Sequence, residues 1–395
     1  MVELPWYTKK IVLPLPDTAH LSRLEPFYPQ SITREGLLSS LIQNHLNAFR
    51  MELKKAKEIV LILEDPSRVS KTGIIVNTIC QTVQKCRGSL LGFEIIIASG
   101  AHFHAREADL LKKVGSSHWP VSIHNCLQNN QPIGTSRSGI PLLFNQKVVR
   151  ADFRMTISTM NIHPLAGLSG GAKILLPGVA GLKTIEAFHS LPGGIPGTEK
   201  SPMRILINEL LGMLPIAHSW HLLSNPEGEI YKIIGGDMLE SFHQAATELL
   251  KIVTVRKPEQ LADFLILGCR PFNQNLIGAF KSFHPIPKLL KPGGSVLLFN
   301  EAPQGIGFHH WRTQAQVITG QKKEYQKRLE DFHVGIFSPG TSCEEFASLF
   351  PGTFHLLKTQ SDLVTFFNGP NTYPKVTTSS RFLVIPYAPV TLVSD

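Results

Sequence analysis

One pattern constrains this chain more than any other: an uninterrupted apolar run, then a cluster of polar groups, then helix-spaced sequence. It occurs at Glu58-Ile-Val-Leu-Ile-Leu63, which leads into Glu64-Asp65-Pro66-Ser67-Arg68 and a helical stretch from Gly73 to Cys86. It returns at Phe93-Glu-Ile-Ile-Ile-Ala98, which ends in Ser99-Gly100-Ala101-His102 and passes into Arg106–Lys112, read as an exposed amphipathic turn. A third run, Ala151–Ser158, opens onto a glycine-rich stretch. Runs without polar alternation suit strands covered on both faces, as in parallel sheets. Strands alternating with helices predict an α/β domain with a mainly parallel sheet. Ligands of such sheets gather at the carboxyl ends of the strands. Asp65, Arg68, His102 and His163 each follow a predicted strand, so they are expected to converge on one crevice.

The pattern resumes late in the chain. Leu261–Gly268 reads as a buried strand, a helix from about Gln274 carries Lys281, and Lys291-Pro-Gly-Gly turns into the strand Ser295–Phe299. Its tip is Glu301–Gly307, and Phe382–Pro386 is a late strand. The expected architecture is two α/β domains with mainly parallel sheets and an active site in the crevice between them. The larger, cofactor-binding domain spans 1–258 and the smaller 259–379, with the tail 380–395 returning to pack on the first.

Composition closes off several classes. At 395 residues the chain is long enough for two cores. Hydrophobic content of 43% with 17% charge describes a globular protein. No apolar run approaches the roughly 20 residues of a membrane span, and the N-terminus lacks the look of a signal peptide. Cys80, Cys86, Cys126, Cys269 and Cys343 are odd in number and without metal-type spacing, which fits reduced thiols and a cytoplasmic location. The net charge of +9 is dispersed, without basic runs or aromatic platforms, so nucleic acid is not an expected partner.

The glycine-rich stretch runs His163-Pro-Leu-Ala-Gly167-Leu-Ser169-Gly170-Gly171-Ala-Lys173-Ile-Leu-Leu-Pro177-Gly178, and His189 follows. Glycines let backbone lie close against another group. Lys173 can pair with a phosphate or act as a covalent nucleophile, and the histidines can serve as base, acid or metal ligand. The phosphate loop is excluded because Ala172 separates Gly171 from Lys173 and Ile174 replaces its hydroxyl residue. The dinucleotide fingerprint is also absent.

Taken in order, these motifs resemble the lactate racemase family, whose members use a nickel-pincer nucleotide. Asp65-Pro-Ser67-Arg68 is similar to the family's Asp-x-Ser/Thr-Arg element, Ser99–His102 to its strand-end histidine motif, and His163–His189 to its glycine block. Asn275-Leu276 through Lys281, with Lys291-Pro-Gly-Gly, is similar to the opening of its second domain. The resemblance implies a thioamide between Lys173 and the cofactor, and nickel ligation by His189 beside two sulfurs and a carbon. It further implies a cofactor loop containing Asp65, Ser67, Gly170 and Gly171, an acid/base pair in His102 and His163, and a carboxylate clamp in Arg68 and Lys281. The implied reaction is reversible hydride transfer at C2 of a 2-hydroxy acid, inverting its configuration. Implied partners are that small molecule and the maturation enzymes: a carboxylase/hydrolase, a sulfur transferase and a nickel-inserting cyclase.

Some positions depart from the family pattern. Ile277 and Gly278 stand where tyrosine and glutamine are usual, Asn161-Ile162 where Glu-Pro is common, and Asn273 where an aspartate is usual. Losing hydrogen-bonding side chains makes a pocket larger and more apolar, so a substrate bulkier than lactate is expected. Two other readings stand beside this one: a catalytically degenerate or purely cofactor-binding homologue, and a dehydrogenase using soluble NAD.

Overall fold

The computed structural model describes residues 2–6, 9–13, 15, 20–102, 107–307, 329–350, 354–368 and 375–394. They form two compact units. One is Tyr28–Leu250; the other comprises the described residues within Met1–Phe27, Lys251–Gly307 and Ile318–Asp395. Among the described residues, each unit is built on a six-stranded sheet, and no helix is long and apolar enough to cross a membrane.

In the Tyr28–Leu250 unit the strand order is Ile230–Gly236, His218–Ser224, Phe153–Thr159, Ile59–Glu64, Phe93–Ala98, Val121–Ile123. All neighbours are parallel except the pair Ile230–Gly236 and His218–Ser224. Ile59–Glu64 is buried along its whole length, the physical reason its sequence shows no polar alternation. Its side chains still alternate between faces. Ile59, Leu61 and Leu63 pack with Ile75, Val76, Ile79 and Val83 of the helix Gly73–Arg87. Val60 and Ile62 face the opposite way, toward Ile174, Leu175 and Leu176. The apolar run after Lys173 is therefore a piece of core, and it pins the glycine block to the sheet.

The second sheet has the order Phe354–Leu357, His333–Phe337, Leu290–Phe299, Ala262–Gly268, Arg381–Ile385, His20–Arg23, all parallel. Leu265, Leu267, Val296 and Leu298 line one face, and Phe264, Ile266, Leu297 and Phe299 the other. This corrects the expected domain limits. Arg381–Ile385 is an interior strand of the second sheet, and the segments that the tail pairs with, His20–Arg23 and Thr254–Arg256, were expected in the first domain but belong to the second unit. Residues before Phe27 join the same unit through His20–Arg23. The cause is aromatic packing across the ladder, where Phe382 stacks on Phe264 at 4.6 Å between ring centroids.

Candidate active site

Parallel strands send their carboxyl ends to one edge, and in the Tyr28–Leu250 unit that edge carries the polar tips. Asp65 follows Ile59–Glu64 in a tight turn. Its Oδ1 accepts the Ser67 amide at 2.7 Å, and its carbonyl accepts the Arg68 amide at 3.1 Å. Its Oδ2 lies 3.6 Å from Nδ1 of His102, an ion-pair distance rather than a well-formed hydrogen bond. Burial works to raise the Asp65 pKa. His102, Arg68 and Ser67 together overcome it and hold the carboxyl well below the usual carboxylate range.

His102 ends the turn after Phe93–Ala98, its amide bonded to the Ser99 carbonyl at 2.9 Å. The Gly100 amide reaches the Gly178 carbonyl at 2.9 Å, so this turn leans on the end of the glycine block. His163 closes the short strand Asn161–His163, which pairs antiparallel with Gly167–Ser169. Its Nδ1 accepts two backbone amides, Leu165 at 3.2 Å and Ala166 at 3.0 Å. An acceptor at Nδ1 places the proton of the neutral ring on Nε2.

The glycine block then turns through Gly170 and Gly171, both in the left-handed region at φ +84° and +61°. A Cβ on Gly170 would meet the Met160 sulfur at 2.6 Å, and one on Gly171 would meet Phe242 Cδ2 at 2.4 Å. The 3-10 turn Gly171–Ile174 follows and sets Lys173. Burial, and after it the charges of Arg68 and Arg204, push the Lys173 pKa down to about 7, with Asp65 opposing. His189 ends the helix Leu182–His189 and shares its Nδ1 with the Ile185 carbonyl at 2.8 Å. A carbonyl partner means Nδ1 carries the proton, which leaves the lone pair on Nε2, as a metal ligand requires. Burial, then the charges of Lys173 and His102, lower the His189 pKa to about 3, although its bond to Ile185 opposes the shift.

Asp65, Ser67, Arg68, His102, Lys173 and His189 thus form one electrostatically coupled group, and His163 is joined to it through the hairpin with Gly167–Ser169. Lys281 belongs to the other unit. There it lies in the 3-10 turn Phe280–Ser282 rather than on the helix expected from about Gln274, its ammonium 3.5 Å from the centroid of the Phe272 ring. Nearby, Ile277 packs half-buried against the core of its own unit. A Cβ on Gly278 would fall 1.8 Å from the Phe272 carbonyl, so this backbone has no room for a larger residue there.

The sequence reading missed two residues of the cluster's surroundings. Arg204 is 1% exposed. It donates to the Leu168 carbonyl and lies over the Phe242 ring at 4.7 Å, while its Nε and Nη1 have no partner. Ser201-Pro202, a capping pair that starts the helix Pro202–Glu209, was the available signal for a helix here. Lys113 is 4% exposed, one residue beyond the exposed turn expected at Arg106–Lys112. Its spacing from Leu110 and Val114 puts it on the apolar face of the helix Glu107–Val114. Arg106 itself lies outside the described residues.

Comparison with known proteins accords with these features. Residues 7–197 match the family profile described as the lactate racemase N-terminal domain. The lactate racemases of Thermoanaerobacterium thermosaccharolyticum and Lactiplantibacillus plantarum are each 24% identical over 332 residues, covering 78% of this chain and 77% of theirs. The structure of the Thermoanaerobacterium lactate racemase apoprotein superposes with a TM-score of 0.78 at 20% identity, covering both chains completely. A Thermotoga maritima protein superposes at 0.68 and 16% identity, over 93% of this chain and all of its own. These likenesses show an α/β protein with two mainly parallel sheets.

Proposed function

We propose, from the premise that this chain belongs to the lactate racemase family and is distantly homologous to lactate racemases over most of its length, that it inverts C2 of a 2-hydroxy acid. The observation that carries this reading is geometric: the Gly170–Gly171 turn sets Lys173, whose amine burial holds below its usual pKa, in the same electrostatic group as His189, whose Nδ1 is held by the Ile185 carbonyl so that its lone pair is on Nε2. Lysine in that state is a nucleophile near neutral pH, and imidazole in that tautomer suits nickel.

The residues fit the family's nickel-pincer nucleotide. Lys173 would tether it, His189 would ligate the metal, and Asp65 and Ser67 with the Gly170–Gly171 turn would cradle it. Buried polar atoms lacking partners support the fit: Ser67 Oγ, Ser169 Oγ, and Nε and Nη1 of Arg204. Groups of this kind are rare unless a ligand or water satisfies them. When bound, the cofactor supplies an acceptor for the C2 hydride; the maturation enzymes named above would provide it.

The chain's own groups supply proton transfer and orientation. Asp65 beside Nδ1 directs the His102 proton to that nitrogen, so Nε2 is its basic atom and takes the substrate hydroxyl proton. His163 presents an Nε2 proton to the oxygen when the keto form is reduced from its other side. Arg68 would hold the carboxylate as a pivot while the planar carbon reorients, and Lys281 keeps the clamp role that the family resemblance implies for it. The Ile277–Gly278 segment lacks the polar side chains usual there, which favours a substrate bulkier than lactate.

The test is cofactor-loaded protein, co-expressed with the maturation enzymes and offered single enantiomers of a graded hydroxy-acid panel. Chiral chromatography should show inversion, with lactate turned over more slowly than larger acids. Lactate as the preferred acid would sink the size argument. Loading at Lys173 without inversion of any acid would favour the cofactor-binding homologue, a reading that the Ile277–Gly278 departure keeps alive.

A further inference from the structure

Directly behind the Asp65 tip lies a buried ion pair to which no role has been given. Glu64 and Lys113 are 6% and 4% exposed, with Nζ 2.7 Å from Oε1. Each side chain is committed to several segments. Lys113 Nζ also donates to the Ser70 carbonyl at 2.9 Å. The Glu64 carboxylate accepts the Thr159 amide at 2.6 Å on one oxygen and the Thr159 hydroxyl at 2.8 Å on the other. Ser70 Oγ reaches Ser224 Oγ at 3.1 Å, and the Thr72 hydroxyl donates to the Lys113 carbonyl at 2.7 Å.

Position in the chain gives this network its meaning. Glu64 immediately precedes Asp65. Thr159 ends the strand that continues into Asn161–His163, and Ser224 ends the strand beside it. Lys113 lies in the helix Glu107–Val114. Three adjacent strand ends and one helix are thus tied by short directional bonds at one point. Apolar side chains of similar volume would hold a core at least as well, and replacing buried ion pairs by them is often neutral or stabilising. Apolar packing would not fix the distances between the strand ends, whereas hydrogen bonds do.

We propose that Glu64 and Lys113 are positioning residues that set the spacing of the Asp65 and His163 segments, and through Asp65 the place of the His102 ring beside it. They do so through the backbone, without touching substrate. The proposal rests on the isomerase reading above, and its test is chosen to stand apart from it.

The variant that keeps the fold is the double substitution Glu64→Gln with Lys113→Met, since it leaves no uncompensated charge. In the holoenzyme its melting temperature should stay within a few degrees of wild type. Its kcat should fall about 100-fold with KM changed less than about twofold, the scale set by a displacement of roughly 1 Å. Lys113→Arg should keep most of the wild-type kcat. A milder variant, Thr159→Val, removes one bond to the carboxylate. In the apo-protein, imidazole NMR should show the His163 signals displaced in Thr159→Val, and those of both His102 and His163 displaced in the double variant. His284, in the other unit, should not move in either. A folded double variant with wild-type kcat and unmoved His102 and His163 signals overturns the proposal. If wild-type holoenzyme inverts no hydroxy acid, the isomerase reading fails, and the NMR comparison still decides the positioning role.

Discussion

A lysine at a pKa of about 7 is a different reagent from one at 10.5, and that change has three measurable consequences. In apo-protein, an amine-directed acylating reagent should modify Lys173 at a rate that rises with pH and half-saturates near pH 7. A midpoint near 10 would remove the nucleophile from the argument. Because Arg204 contributes to the shift, Arg204→Met should move that midpoint upward. The third consequence is for stability. The folded-state pKa lies below the unfolded one, so folding disfavours the proton, and stability grows as pH rises from about 7 toward the unfolded value. Below pH 7 the penalty is fully present. Lys173→Met should therefore be more stable than wild type at pH 6, by about 0.5–2 kcal/mol, the usual return on relieving a functional group that the fold tolerates poorly. Chemical denaturation at pH 6 and pH 9 measures the difference, which should shrink at the higher pH.

At the scale of an element, the glycine block is rigid for identifiable reasons. Gly171→Ala would force a methyl into Phe242 at a positive φ and should cost about 1–3 kcal/mol. Gly36→Ala, with nothing within 4 Å of the new methyl, should stay within about 0.5 kcal/mol of wild type. Urea titration of the two variants checks both values. Some strands of each unit were legible in the sequence. Phe93–Ala98 was read with its observed limits, and Ala262–Gly268 and Arg381–Ile385 within a residue. Continuous Ile, Leu and Val between polar tips leaves little alternative in a chain of this composition. His218–Ser224 was missed, although all of it is buried, because its polar residues look exposed on paper. His221 bonds Ser241 and Ser219 bonds Thr156, contacts made by distant parts of the chain. Site residues divide in the same way. Asp65, His102, His163, Lys173 and His189 stand in local motifs. Arg204 and Lys113 owe their burial to tertiary partners that no short window contains.

At the scale of the whole molecule, the second unit is assembled from both ends of the chain. Removing residues 380–395 would take away an interior strand, Arg381–Ile385, leaving Ala262–Gly268 paired on one side only, with Leu290–Phe299, and His20–Arg23 with no strand beside it. Such a truncation should lose the second unit while Tyr28–Leu250 persists, seen as rapid proteolysis of the residues on either side of Tyr28–Leu250. An intact second unit would contradict the strand order. The same threading sets an order on synthesis at the ribosome, where domains fold as they emerge. Tyr28–Leu250 has all its own strands once about two thirds of the chain is made, so Lys173 and His189 can take up their places early. His20–Arg23 is translated before that unit, yet it cannot be paired until its neighbour Arg381–Ile385, translated after the unit, has been made. Until Arg381–Ile385 is made, His20–Arg23 has no strand to pair with, and its backbone donors and acceptors along that edge are left to water.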